Sequence, residues 1–224
     1  MAELFDCADP GQRASGIASA VSAVKGGRLV VMPTDTVYGI GADAFDADAV
    51  AALLAAKGRG RDMPVGVLVG SWTTIDGLVF SVPSTARELI RAFWPGALSL
   101  VVRQAPSLQW DLGDANGSVM LRMPLHPVAI ELLREVGPMA VSSANVSGRP
   151  AAGTAEAARD QLGDAVEVYL DGGPAEQQAA STIVDLTAAR PRILREGPIG
   201  ADAIGRVLGV DPATLAEATE SSAQ

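Results

Sequence analysis

Apolar and polar positions along the chain alternate in two rhythms. Residues 12–25 place Ile17, Val21 and Val24 at offsets of four and seven, the inner stripe of a helix that Gly26 and Gly27 end. "RLVVM" then reads as a buried strand, and "VVMPTDTVYGIG" (30–41) carries it into a loop. That loop holds two threonines, an aspartate and a tyrosine between an apolar run and two glycines, a mixture that a plain surface loop does not need. "DADAVAALLAAKG" predicts a second helix, capped by Asp46 or Asp48, with Val50, Leu53 and Leu54 inward and Gly58 as its stop. "VGVLV" is a strand, and "STARELIRAFW" a helix that follows Pro83 and meets the breaker "WPG". "ALSLVVR", "SVMLRM", "MAVSS", "VEVYL", "STIVDL" and "RILRE" are further strand candidates, with helices at 126–136, 154–162 and 200–208. Strands interleaved with helices predict an α/β sheet covered by helices. Several strands follow one another directly, so the sheet is expected to be mixed, parallel and antiparallel.

No linker or charge run divides the 224 residues. A single domain over 1–210 is therefore expected, with a tail, 211–224, of biased composition that should fray. Hydrophobic residues make up 48% of the chain, yet no apolar run approaches the ~18 residues of a membrane span, and the start "MAELFDCADP" lacks an export pattern. A cytoplasmic protein without membrane contact is expected. Cys7 and His126 are the only cysteine and histidine, too few soft ligands for zinc, so no protein-held metal site is expected. A net charge of -9 argues against strong direct nucleic-acid binding, which requires an excess of basic surface.

Lys57 lies four residues after Leu53 on the stripe that should face the core, where a charge needs a partner. Its amine either enters a polar cavity or meets an anion, or else it snorkels from a solvated helix end. "KGRGR" adds Arg59 and Arg61, a cationic cluster on a glycine-containing loop suited to a polyphosphate. "VSSANVSG" (141–148) is either a turn that leaves amides open to an anion or one that bonds only to itself. Arg122 ends "SVMLRM", Ser181 and Thr182 open "STIVDL", and Arg195 lies in "ILREG", each with an edge or capping role as its plain reading. No nucleophile signature, dinucleotide fingerprint or P-loop occurs.

In order, "PTDTVYGIG", "KGR" followed by Pro64, "WPGALSLVV", "VMLRMP", "SSANVSG", "STIVDL" and "ILREG" resemble the YrdC-like proteins, specifically the threonylcarbamoyl-AMP synthases of the TsaC type, over about residues 14–208. The resemblance implies a twisted mixed sheet around a concave cavity. It also implies synthesis of L-threonylcarbamoyl-AMP from L-threonine, bicarbonate and ATP, with release of pyrophosphate and with Mg²⁺ arriving on the ATP. A separate complex would then transfer the threonylcarbamoyl group to adenosine 37 of tRNA. By the same resemblance, Thr34, Thr36, Arg122, Ser143 and Ser181 would hold threonine. Lys57 and Arg59 would be the catalytic cations on the phosphates, and Ser118, Asn145 and Arg195 would lie on the nucleotide side. Met63 and Leu68 stand where many relatives have asparagine and histidine, and "AAG" (151–153) where Ser-Pro-Thr is usual. Those contacts are either lost or supplied by other residues.

Two competing readings remain at this level. Carbamoyl-adenylate formation of the hydrogenase-maturation kind implies a larger chain with zinc-finger-like cysteines, and this chain has one cysteine. An RNA-binding module implies affinity that falls steeply with salt.

Overall fold

Side-chain alternation along the strands sorts the core into two layers. In the strand Val30–Met32 (β2), Val30 and Met32 join one apolar cluster and Val31 the other. In Val168–Asp171 (β8), Val168 and Leu170 part from Tyr169 in the same way. A sheet buried on both faces needs helices on both. On one face pack Pro10–Lys25 (α1) and Pro127–Val136 (α5), through Ile17, Ala20, Val24, Val128 and Leu132. On the other pack Ala47–Ala56 (α2), Ser84–Phe93 (α4), Ala155–Leu162 (α6) and Ala201–Leu208 (α7), through residues such as Leu53, Leu89, Ala158 and Ile204. A one-turn helix, Ile75–Leu78 (α3), precedes α4.

The computed structural model describes residues 2–175 and 179–216. The remaining strands are Glu3–Asp6 (β1), Gly39–Asp43 (β3), Gly66–Leu68 (β4), Leu98–Arg103 (β5), Ser118–Arg122 (β6), Met139–Ser143 (β7), Thr182–Asp185 (β9) and Arg192–Arg195 (β10). Together they form one ten-stranded sheet in the order β1-β8-β2-β3-β7-β4-β6-β5-β9-β10. The expected mixture is present. β8 runs parallel to β1 and β2, β4 to β6 and β5 to β9, while β3, β7 and β10 pair antiparallel with their neighbours.

Three expectations need correction. β3 occupies "GIGAD", where the sequence reads as loop because glycine weakens strands. Here the bare glycines let β7 approach: a Cβ on Gly39 would lie 2.8 Å from Val141 Cγ1, and one on Gly41 2.8 Å from Met139 Cε. β1 also escaped the pattern, because its residues are largely exposed at the sheet edge. Finally, order continues past residue 211. Pro212–Leu215 forms a helical turn whose Leu215 is 1% exposed, so fraying does not begin at 211, and residues 217–224 lie outside the described ones. Among the described residues no helix is long and apolar enough to cross a membrane.

Candidate active site

α1 and α5 cover the face of the sheet around β1, β8, β2 and β3, and the strands beyond leave the same face open. Register shows this: Leu68 belongs to the α5-side cluster and pairs in parallel with Arg122, so Arg122 points to that side, as do Met120 and its partner Val101. The uncovered area is a cavity of about 480 Å³. Arg59, Arg122 and Arg195 line it together with Thr34, Thr36, Ser99, Ser118, Ser142, Ser143 and Ser181, and among the described residues no carboxylate does. A chain of net charge -9 has therefore built a cationic hollow.

One end is organised by Arg122. Its Nε donates to Gly96 O (2.9 Å), Nη1 to Thr36 Oγ1 (2.8 Å) and Nη2 to Asp35 Oδ1 (2.6 Å). Asp35 Oδ1 also accepts the Leu125 amide at 2.8 Å, and Thr34 Oγ1 donates to Val37 O at 2.6 Å and lies 3.0 Å from Thr36 Oγ1. The loop after β2 thus fixes the plane of a guanidinium whose remaining N–H groups are available to a carboxylate in the cavity. Burial lowers the pKa of Arg122; Asp35 opposes that shift and Arg195 adds to it. The "WPG" block has its place here, since Gly96 supplies the carbonyl, and a Cβ on Gly96 would lie 2.6 Å from Phe93 O.

Two further cations come from the end of α2. Asp46 caps its start, accepting the amides of Asp48 and Ala49. At its end, Gly58 takes φ +60°, Gly58 N donates to Ala55 O and Arg59 N to Leu54 O, both at 2.9 Å. This glycine-dependent reversal turns Lys57 and Arg59 onto one turn, residues 142–149. Arg59 Nη1 donates to Ser142 Oγ (3.0 Å) and Nη2 to Pro64 O (3.3 Å), while its buried Nε has no partner. Burial lowers the pKa of Arg59, and Asp62 offsets part of that.

Lys57 is 2% exposed, so the solvated helix end is excluded. Its Nζ donates to the carbonyls of Ser143 (2.5 Å) and Asn145 (2.6 Å), and Lys57 is not among the residues lining the cavity. Burial, and then the nearby Arg59, draw its pKa down to about 8, against which the two carbonyls favour the ammonium form.

Five amides of the 142–149 turn are bonded, two within the turn and three to other parts of the chain. The amides of Ala144, Asn145, Ser147 and Arg149 donate to Tyr38 O, Ser143 O, Lys57 O and Val146 O, and that of Val146 to Gln161 Oε1. Neither of the two readings of this turn holds as stated: these five amides are not open to an anion, and the turn does not bond only to itself. Asn145 also turns away from the cavity wall: its Nδ2 donates to Val146 O and Arg149 O, and its buried Oδ1 has no partner.

β9 and β10 supply the opposite wall. Arg195, exposed at the rim, donates from Nε to Ser181 O (2.9 Å) and from Nη2 to Ser181 Oγ (3.2 Å), and Ser181 Oγ lies 2.8 Å from Ser99 Oγ. Neighbouring protein shields the guanidinium enough to lower its pKa. Ser118 lines the cavity and donates to Ala115 O at 2.7 Å. Of the divergent positions, Met63 is exposed and off the wall, whereas Leu68 and Ala151 lie on it and make it apolar there.

Of the residues singled out from the sequence, the fold gathers Thr34, Thr36, Arg59, Ser118, Arg122, Ser143, Ser181 and Arg195 on one cavity and leaves Lys57 and Asn145 behind it. Sequence reading missed Asp35, Ser99 and Ser142. Ser99 gave a signal, a lone hydroxyl inside the apolar run "ALSLVV"; Asp35 and Ser142 acquire their roles only through contacts 87 and 83 residues away.

The family model described as Telomere recombination (Sua5, YciO and YrdC) matches residues 22–197. A Mycobacterium tuberculosis (strain H37Rv) protein, provisionally named a threonylcarbamoyl-AMP synthase, is 78% identical over 215 residues, 96% of this chain and 99% of that protein. The threonylcarbamoyl-AMP synthase of Pyrococcus abyssi is 33% identical over 207 residues, 91% of this chain but 61% of that protein. The crystal structure of P. abyssi Sua5 complexed with L-threonine superposes with a TM-score of 0.86 at 32% identity, over 95% of this chain and 63% of that one. The chain thus matches its mycobacterial relative over nearly the whole length of both and spans less than two thirds of the archaeal protein. With most of its length inside the matched family region, the chain belongs to the Sua5/YciO/YrdC family.

Proposed function

We propose that this chain is a threonylcarbamoyl-AMP synthase, a nucleotidyltransferase that makes L-threonylcarbamoyl-AMP from L-threonine, bicarbonate and ATP and releases pyrophosphate. The observation that carries this reading is a cavity lined by three arginines and, among the described residues, no carboxylate, with Arg122 braced by Thr36 and Asp35 at one end. A threonine carboxylate fits on Arg122, its hydroxyl beside Thr34, Thr36 and Ser181, and a triphosphate fits across Arg59 and Arg195. The names of the mycobacterial and archaeal relatives, and the threonine in the archaeal structure, support the assignment.

The chemistry suits these residues. Threonine's amine and bicarbonate give a carbamate and water. The carbamate oxygen then attacks the α-phosphorus and pyrophosphate leaves. Both partners are anions, so the chain's task is to hold them in line and to place positive charge where it accumulates on the phosphoryl oxygens. A wall of arginines and hydroxyls does this without an acid-base dyad. Among the described residues no three His, Cys, Asp or Glu groups stand where they could share a metal ion. The cation belongs to the ATP. Release of the product to a separate complex that modifies adenosine 37 of tRNA places the work in the cytoplasm.

Pyrophosphate release, with each substrate omitted in turn, tests the reading. Release is expected only when threonine, bicarbonate and ATP are all present. Equal release without threonine would remove the assignment.

A further inference from the structure

Three contacts join Lys57 to one turn. Nζ reaches the carbonyls of Ser143 and Asn145, and its own carbonyl accepts the Ser147 amide at 2.8 Å. Two residues on, Arg59 reaches the same turn at Ser142 Oγ. A buried ammonium needs strong acceptors in place of water, and those acceptors are the main chain of the turn that carries the cavity-lining Ser142 and Ser143. Lys57 approaches from α2, whose Val50, Leu53 and Leu54 pack in the cluster on the far face of the sheet from the cavity.

We infer that Lys57 is a positioning residue, a cation that locks the 142–147 turn from behind so that Ser142, Ser143 and, through Ser142, Arg59 are held on the cavity wall. Its effect on catalysis passes through the turn and not through contact with phosphate. Two of its three N–H donors go to the Ser143 and Asn145 carbonyls, and Lys57 does not line the cavity. Beyond Ser142, which Arg59 meets, the turn is held by neutral bonds such as Asn145 Nδ2 to Val146 O and Arg149 O and the Val146 amide to Gln161 Oε1, so the ammonium is the one charged anchor among these contacts. The catalytic part of this inference rests on the threonylcarbamoyl-AMP reading. The clamp does not.

Amide hydrogen exchange on the substrate-free protein tests the clamp directly. In Lys57→Met the amides of Ala144, Asn145 and Ser147 should exchange about tenfold faster or more, with those of β5 and β6 unchanged. In the pyrophosphate assay, Lys57→Met should lower kcat by about a hundredfold while KM for ATP moves less than about threefold. Ser142→Ala alone should cost about tenfold, but less than about twofold when added to Lys57→Met, because the turn is already released. Unchanged local exchange, or a raised KM for ATP with multiplicative effects, would overturn the proposal in favour of direct phosphate contact. If Lys57→Met does not fold, Lys57→Gln, which keeps one donor group, takes its place. A uniform rise in exchange across the chain would then reduce Lys57 to a global stabiliser and also overturn the proposal. An inactive wild type would sink the functional reading and leave the exchange result standing.

Discussion

Arg122 and Arg59 line the same cavity and are held in opposite ways. Arg122 is buried with a counter-charge: Asp35 takes one N–H, and Thr36 and Gly96 take two more. Arg59 meets only a hydroxyl and a carbonyl, and its Nε has no partner. The first arrangement suits a small, singly charged carboxylate that must arrive in one orientation. The second suits a polyanion, which supplies the compensation that the protein withholds. An arginine offset only in part, by Asp62, costs stability, and under the proposed function a bound phosphate would relieve that cost. At Arg122 the fold itself needs the cation.

Opposite effects on stability are therefore expected where both substitutions damage activity. The largest effect is expected for Arg122→Gln. Threonine-dependent pyrophosphate release should fall at least about a thousandfold, and denaturant unfolding should show a loss of about 3–5 kcal/mol, because Asp35 is left buried without its partner. The double variant Asp35→Asn/Arg122→Gln should recover most of that stability and none of the activity. A double variant as unstable as the single one would break the comparison. Next comes Arg59→Gln, for which activity should fall about a hundredfold or more, the scale of one lost transition-state contact. Its unfolding free energy should stay within about 0.5 kcal/mol of wild type or rise. A marked loss of stability would show that Arg59 is structurally compensated after all.

The smallest effect sharpens the same contrast through Lys57, a third cation compensated by carbonyls alone. With its pKa near 8 in the fold and an ordinary value near 10.5, Lys57 sheds its proton in the native state first. Between those values the unfolded chain binds more protons, so this group makes folding relatively more favourable as pH rises. Wild type should accordingly lose less Tm than Lys57→Met between pH 8 and about 10, while its activity declines as the clamp on the 142–147 turn discharges. Parallel Tm profiles for the two proteins would refute the lowered pKa.

Much of this protein could be read from the sequence alone. Local periodicity set the helix at residues 12–25 and α2, α4, α5, α6 and α7 to within a few residues, because each needs only an apolar stripe and a stop such as Gly58 or "WPG". The alternation around "MAVSS" and "SVMLRM" gave strands in the same way, and the ordered blocks pointed to the family. β3 escaped because its glycines matter only against Val141 and Met139, partners nearly a hundred residues away.

The site divides along the same line. Residue types were visible: threonines, serines and arginines at strand and helix ends. Which of them share a surface was decided by the pairing of β4 with β6 and β5 with β9, which the chain cannot announce locally. Tertiary structure also separated Lys57 from Arg59. Two residues apart in "KGR" and joined by the left-handed Gly58, they meet the same turn from different sides, so that one ammonium is spent on Ser143 and Asn145 carbonyls while the neighbouring guanidinium, bonded to Ser142, faces the cavity. Sequence determines which charges are present. Whether a buried charge meets a carboxylate, a carbonyl or an open hollow depends on what the rest of the chain places beside it, and the cost of leaving a cation unpaired in the core enforces the answer.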